Sequence, residues 1–375
     1  MRQKILFIVN VDWFFVSHRL PIALKAQDEG YEVHISCAFT DKKDYLQGLG
    51  FKLHELPFSR SGKCFISEIT TLFAMSKLLK LVKPDLVHAI TIKPVLYTGL
   101  VLKFVKVPAF VAAISGLGLV FVTKTFKGKV LRWFVKTLYK ISFSHKNMNV
   151  IFQNPVDKKT LIDSNIVFEE QCRFIKGSGA DLNEYVHVPE PEVPIKVIMA
   201  CRLLREKGVG EFIEMSRRVN ALNKGVEFLL VGEPDYGNPN SFTETDIQKW
   251  KNEGIVQLLG HSDDVAKLFS QSHIVTLPSY YGEGLPKVLI EAAACGRPIV
   301  TTNNPGCIEA VIENETGLIV PVKDIDSLTK AIVKLIDSKE LRENMGQRAR
   351  QFAEEEFDVK SVVAKHLDTY EKLLN

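Results

Sequence analysis

ILFIVNV (Ile5–Val11), SHRLPIALKAQDEG (Ser17–Gly30) and YEVHISCAF (Tyr31–Phe39) open the chain as an apolar run, a helix-like segment and a second apolar run. ILFIVNV is short and nearly continuous, the pattern of a strand buried on both faces. The order repeats through a helical segment ending near Lys83, then DLVHAI, PAFVAAIS and NVIFQN. Such strand–helix–strand alternation predicts a parallel, doubly wound α/β sheet with helices on both faces. The pattern restarts after HVPEPEVP (His187–Pro194), where VIMACRLL, VEFLLVG, IVQLLG, HIVTLP, PIVTT and GLIVPV read as strands. A chain of 375 residues is too long for one ordinary core, and two Rossmann-like halves account for it. The expected division is 1–188, 189–356 and a terminal helix over 357–375 able to cross back onto the first domain.

Composition narrows the class. The chain has no Gly/Ser or Pro tract and no solenoid repeat, so it reads as globular. Six scattered cysteines form no CxxC pair, which argues against a zinc site or disulfide framework and for a reducing compartment. The uncharged stretch Val107–Thr123 contains Pro108, Gly116 and Gly118. It reads as a buried strand and a Gly-rich loop, and falls short of a membrane span. Net charge is only +4, yet residues 1–180 hold 26 Lys and Arg against 13 Asp and Glu, and the remainder is acidic. An anionic partner for the first half follows. Residues 126–143 combine Phe126, Trp133, Phe134, Tyr139 and Phe143 with Lys127, Lys129, Arg132, Lys136 and Lys140. Such a helix suits an anionic membrane surface, or else packs on the sheet with a solvated basic face. No stacking or recognition-helix motif accompanies the charge, so no nucleic-acid partner is expected.

In doubly wound folds ligands bind beyond the carboxyl ends of the strands. Arg202 ends one such strand and Lys207 follows before a helix, so two cations can share one diphosphate; an exposed basic loop would read the same. Further on, Ser279-Tyr-Tyr-Gly-Glu283-Gly284-Leu285-Pro286 leads into a helix carrying Leu289 and Glu291. The N–H groups and positive dipole end of that helix suit phosphate. Glu291, about one turn deeper, can accept bonds from two vicinal hydroxyls, while an ordinary helix with a capping carboxylate is the plain alternative. Asp324 and Asp326 precede SLTKAIVKLI and read as a helix start, not a metal pair.

The order and spacing of Arg202, Lys207, the turn after VEFLLVG, the strand end at His261 and the Glu283/Glu291 loop resemble the family-four retaining glycosyltransferases over the whole second domain. The resemblance implies a GT-B fold, α/β with two Rossmann-like domains facing a cleft. It implies that Arg202 and Lys207 bind the donor diphosphate, and that Glu283 and Glu291 bind donor sugar and ribose. Backbone groups of Gly284, Leu285, Pro286 and Leu289 then lie near the sugar and phosphates, with Glu283, Arg202 and Lys207 as the catalytic set. Lys176-Gly-Ser-Gly-Ala-Asp181 is similar to the family's interdomain turn.

In the first domain NVDWFFVSHRLPIA, PFSR, HAITIKP, AISGLGLVF and FKGKVLRWFVKTLYKISF resemble transferases that extend undecaprenyl-diphosphate-linked sugars. That implies a UDP-sugar co-substrate, a polyprenyl-diphosphate-linked acceptor, no cofactor or metal, and a cytoplasmic enzyme at the inner membrane face. Family members carry a His after the PAFVAAIS-type strand. Ser115-Gly-Leu-Gly118 stands there, so that role is not carried over. Asp12, His18, Arg19, Arg60 and Lys93 are the acceptor-side candidates, each equally readable as a cap, a surface charge or a core-edge histidine. A Rossmann oxidoreductase or epimerase would need a Gly-x-Gly-x-x-Gly turn, and the turn after ILFIVNV is Asp-Trp-Phe-Phe. A non-catalytic scaffold would have no need of Arg202, Lys207, Glu283 and Glu291.

Overall fold

The computed structural model describes residues 2–58, 65–117, 135–280 and 282–375. Arg60, Tyr281 and residues 118–134, which include most of the basic aromatic segment, lie outside the described residues. The described chain forms two compact units, Met1–Ser178 with Ser361–Asn375, and Gly179–Lys360.

The first unit is built on seven strands: β1 (Lys4–Val11), β2 (Glu32–Ala38), β3 (Lys52–Glu55), β4 (Leu86–Ile90), β5 (Ala109–Ile114), β6 (Met148–Phe152) and β7 (Cys172–Phe174). They lie in the order β3-β2-β1-β4-β5-β6-β7, every pair parallel. Alternation along the strands assigns the two faces. Leu6 and Ile8, Val87 and Ala89, Phe110 and Ala112 meet the core of helix Phe65–Val82, helix Ile92–Val101 and residues 135–143. Phe7 and His88 point the other way, onto Phe15 of helix Asp12–Asp28 and Tyr370 of helix Val359–Leu374. The C-terminal segment is thus part of the first unit's core. In the part of the basic aromatic segment that is described, Tyr139 and Phe143 are buried against the sheet while Lys140 and Ile141 face outward.

The second unit has six parallel strands: β8 (Ile195–Ala200), β9 (Val226–Val231), β10 (Gln257–Gly260), β11 (Ile274–Leu277), β12 (Ile299–Thr302) and β13 (Gly317–Val320). Their order is β10-β9-β8-β11-β12-β13. The chain from Gly179 to Pro194, upstream of β8, already belongs to this unit. Ala180 pairs with Asp358 through Ala180 N–H to Phe357 O (2.8 Å) and Val359 N–H to Ala180 O (3.0 Å). Glu190 takes a two-pronged contact from buried Arg342, at 2.6 and 2.8 Å. In both sheets β1 and β8 sit at the point where strand order reverses, which is where doubly wound folds bind ligands.

Candidate active site

The carboxyl ends of β8 and β11 bring the second-unit residues together. After β8 the chain passes Arg202, makes a short 3-10 turn over Arg205–Lys207 and enters helix Val209–Asn220 through Gly208 at φ +83°. Only glycine fits there, because a Cβ would lie 2.2 Å from the Pro278 carbonyl oxygen. That close approach sets Lys207 beside the loop after β11. Its Nζ donates to Glu283 Oε1 at 2.5 Å, and Ser279 Oγ donates to the same oxygen at 3.0 Å. Burial alone would lower the Lys207 pKa, but the Glu283 carboxylate outweighs it and raises it, so Lys207 is a firmly held cation. Arg202 is half exposed and pairs with Asp235 Oδ2 at 2.7 Å.

The loop's path is fixed from below. Thr302 Oγ1 donates to the Ser279 carbonyl, and a Cβ on Gly306 would sit 1.9 Å from the Gly284 carbonyl oxygen. Pro286 stands just before helix Lys287–Ala294 as its cap. The first return bonds run to Pro286 O from Leu289 N–H (3.1 Å) and Ile290 N–H (3.4 Å), so the N–H groups of Lys287 and Val288 precede the helical ladder. The side chains of Leu285 and Leu289 are buried in the core, which leaves these positions only backbone to offer a ligand. Glu291 is buried and receives Tyr185 Oη–H at 2.7 Å and Lys287 Nζ, both on Oε1. Burial, then the Glu291 charge, pushes the Tyr185 pKa far up, so its hydroxyl stays a donor. Tyr185 and Lys287 were not singled out from sequence. Lys287 is legible as the residue four before Glu291, but Tyr185 is a contact across 106 positions and has no local signal.

Asp324 caps helix Ile325–Asp337, accepting from Ser327 N–H (2.9 Å) and Oγ–H (2.7 Å). Asp326 pairs with Arg218. Among the described residues no three His, Cys, Asp or Glu side chains group as metal ligands.

The acceptor-side candidates have mostly local partners. Asp12 accepts from Trp13 N–H, Thr40 N–H, Thr40 Oγ–H and Lys42 N–H at 2.6–3.0 Å, tying the end of β1 to the loop after β2. His18 stacks on Phe14 at 4.1 Å. Arg19 is buried, gives Nη1–H to the His18 carbonyl at 2.8 Å, and leaves Nε–H unpaired. Lys93 contacts Glu68 at 2.8 Å, whose other oxygen takes the Tyr97 hydroxyl.

Two parallel α/β units, the second with a cation pair and two glutamates at its sheet end, define a glycosyltransferase of the GT-B class. The chain belongs to the family-four glycosyltransferases. Residues 185–352 match the family described as Glycosyl transferases group 1, and residues 4–154 that described as Glycosyl transferase 4-like. The chain is 29% identical, over 99% of both proteins, to the N,N'-diacetylbacillosaminyl-diphospho-undecaprenol alpha-1,3-N-acetylgalactosaminyltransferase of Campylobacter jejuni. It is 26% identical to the UDP-Gal:alpha-D-GlcNAc-diphosphoundecaprenol alpha-1,3-galactosyltransferase of Escherichia coli, over 81% of this chain and 80% of that one. Among solved structures, sucrose-phosphate synthase from Thermosynechococcus elongatus superposes with a TM-score of 0.80 at 20% identity, over 99% of both chains. No helix among the described residues is long and apolar enough to cross a membrane.

Proposed function

We propose that the chain transfers an N-acetylhexosamine from a UDP-sugar to a polyprenyl-diphosphate-linked saccharide during bacterial glycan assembly, with retention of configuration. The observation that carries the reading is the partly buried Lys207–Glu283 pair beside a helix start, with Arg202 nearby on the preceding turn. The relatives from C. jejuni and E. coli act on undecaprenyl-diphosphate-linked sugars, which supports the acceptor class.

In this reading Arg202, Lys207 and the N–H groups at Lys287 and Val288 stabilise the negative charge that gathers on the departing diphosphate, the main electrostatic task of the reaction. Glu291 presents its carboxylate to the ribose hydroxyls; its Oε1 is already engaged by Tyr185 and Lys287, which leaves Oε2 to accept from those hydroxyls. Glu283 holds hydroxyls of the transferred sugar or supports positive charge at its anomeric carbon. The acceptor hydroxyl attacks from the face the nucleotide leaves, and a departing phosphate oxygen takes its proton. Lysine, arginine and helix dipole together neutralise the diphosphate, so no divalent metal is called for. The basic first unit meets the lipid acceptor, with the enzyme peripheral on the cytoplasmic face of the membrane.

The test is a screen of UDP-sugars against a short polyprenyl-diphosphate-sugar, with and without EDTA, the product anomer read by NMR. An α-linked product from an α-configured donor, undiminished by EDTA, is expected. A β-linked product or loss of turnover in EDTA overturns the stereochemical or metal-free part respectively. No turnover and no binding of any nucleoside-diphosphate sugar overturns the whole.

A further inference from the structure

Helix Phe65–Val82 carries two apolar faces. Met75, Leu78, Leu79 and Val82 enter the first unit's core. At the helical pitch, Ile66, Ile69, Phe73, Lys77, Lys80 and Leu81 share the opposite side within an arc of about 120°. Ile66 is 73% exposed, Phe73 67% and Leu81 77%, with Ile69 less so and both lysines open to solvent. Singly exposed apolar residues are ordinary, but a row of them along one helix marks a contact surface. The row does not stand alone. Helix Ile92–Val101 packs beside it through Lys93 and Tyr97 on Glu68, and residues 135–143 pack beside that helix through Ser142 Oγ–H to Leu96 O at 3.0 Å. These neighbours add Phe104, 87% exposed between Lys103 and Lys106, and Ile141 next to Lys140.

The charge around this helix layer is one-sided. Residues 65–117 and 135–150 hold nine lysines and two carboxylates. Both carboxylates are engaged, Glu68 by Lys93 and Tyr97, Asp85 by the Lys4 N–H at 2.7 Å. An apolar row rimmed by lysines and lacking open carboxylates is complementary to acyl chains beneath anionic headgroups.

We propose that the outer row of helix Phe65–Val82, led by Ile66 and Phe73 and joined by Phe104, inserts into the headgroup region of an anionic bilayer. The inference rests on the membrane placement proposed above and says which side chains carry it. In the described part of the basic aromatic segment the rings of Tyr139 and Phe143 are turned into the core, so these two rings do not supply the apolar contact.

The full-length protein is sedimented with vesicles of phosphatidylcholine alone or with about one third phosphatidylglycerol. The wild type is expected on the anionic vesicles. The double substitution Ile66→Glu/Phe73→Glu should reduce partitioning by roughly tenfold or more. Its melting temperature and its turnover of a water-soluble short-chain acceptor should stay at wild-type values, since both side chains are solvent-exposed. Lys77→Glu/Lys80→Glu should weaken binding at low salt and much less at high salt. If the apolar double variant partitions like the wild type, this inference fails and the membrane placement stands. If the wild type ignores anionic vesicles, the placement itself fails. If the wild type is a dimer in solution that Ile66→Glu/Phe73→Glu splits, the row is a self-contact and the bilayer assignment is overturned.

Discussion

In the second unit the charged groups at the sheet end come in matched sets: Arg202 with Asp235, Lys207 with Glu283 and Ser279, Glu291 with Tyr185 and Lys287. The first unit does the opposite beneath its sheet. Arg19, His88, His366 and Tyr370 are all buried together, with no carboxylate among them. His88 Nδ1 meets the Tyr370 hydroxyl at 2.6 Å and His366 Nδ1 donates to the Val362 carbonyl at 2.8 Å, but both Nε2 atoms and Arg19 Nε have no partner. A matched set holds its charges in place before a ligand arrives and needs little reorganisation. An unmatched cluster tolerates only one protonation state. The contrast separates the site proposed for the diphosphate from a core whose stability depends on proton concentration.

The most damaging intervention should be Glu283→Gln. It keeps the shape of the loop but removes the charge proposed to support the transferred sugar, and transfer should fall by about 10²–10³-fold or more. A thermal melt should show the fold intact; normal turnover would remove Glu283 from the mechanism. Arg202→Ala comes next. Arg202 is half exposed, so the fold should be untouched while kcat falls by roughly tenfold to a hundredfold through weaker support of the leaving diphosphate. An unchanged kcat would mean that Lys207 and the helix start suffice.

The third prediction addresses the first unit. Burial, followed by the Arg19 charge, holds His366 down to about 3, and burial, His366 and Arg19 hold His88 well below its ordinary value. Both are therefore neutral in the fold. Below the ordinary histidine pKa of about 6.5 the unfolded chain takes up protons that the fold refuses. Stability from this cluster is complete above that pH and is lost as pH falls, at about 1.4 kcal/mol per unit for each histidine. Hydrogen exchange at pH 7.5 and 5.5 should show residues 361–374 losing protection ahead of helix Lys287–Ala294. His366→Gln should flatten that response, and an equally steep response in the variant would exonerate the histidine. The smallest effect belongs to Tyr185→Phe. Losing one neutral donor to Glu291 should raise KM for the donor about threefold to tenfold and leave kcat nearly alone.

Much of this molecule is legible in the chain itself. ILFIVNV, DLVHAI and VEFLLVG are short, mostly apolar and rich in β-branched residues, as doubly buried strands are, and β1, β4 and β9 stand there. Asp324 and Ser327 announce a helix start locally and form one. What was not legible depends on distant contacts. HVPEPEVP looks like a linker, yet Glu190 is clasped by Arg342 from 152 positions away. The alternation of polar and apolar residues cannot report that clasp. Arg202, Lys207, Glu283 and Glu291 stand out by type and order, whereas Gly208 matters only because the Pro278 carbonyl passes against it. The aromatic residues of the basic segment show the limit most clearly, since Tyr139 and Phe143 have the composition of a membrane helix and the position of core residues.

The return of the C-terminal helix has a consequence for biosynthesis. His366 and Tyr370 fill the floor under β1 and β4, strands made near the start of translation. Until residues 361–375 are in place the first unit lacks part of its interior, whereas the segment from Gly179 to Lys360 holds all of its own strands. The interior of the first unit is therefore completed by residues about 280 positions away along the chain, so its folding waits on a segment that its own strands do not contain.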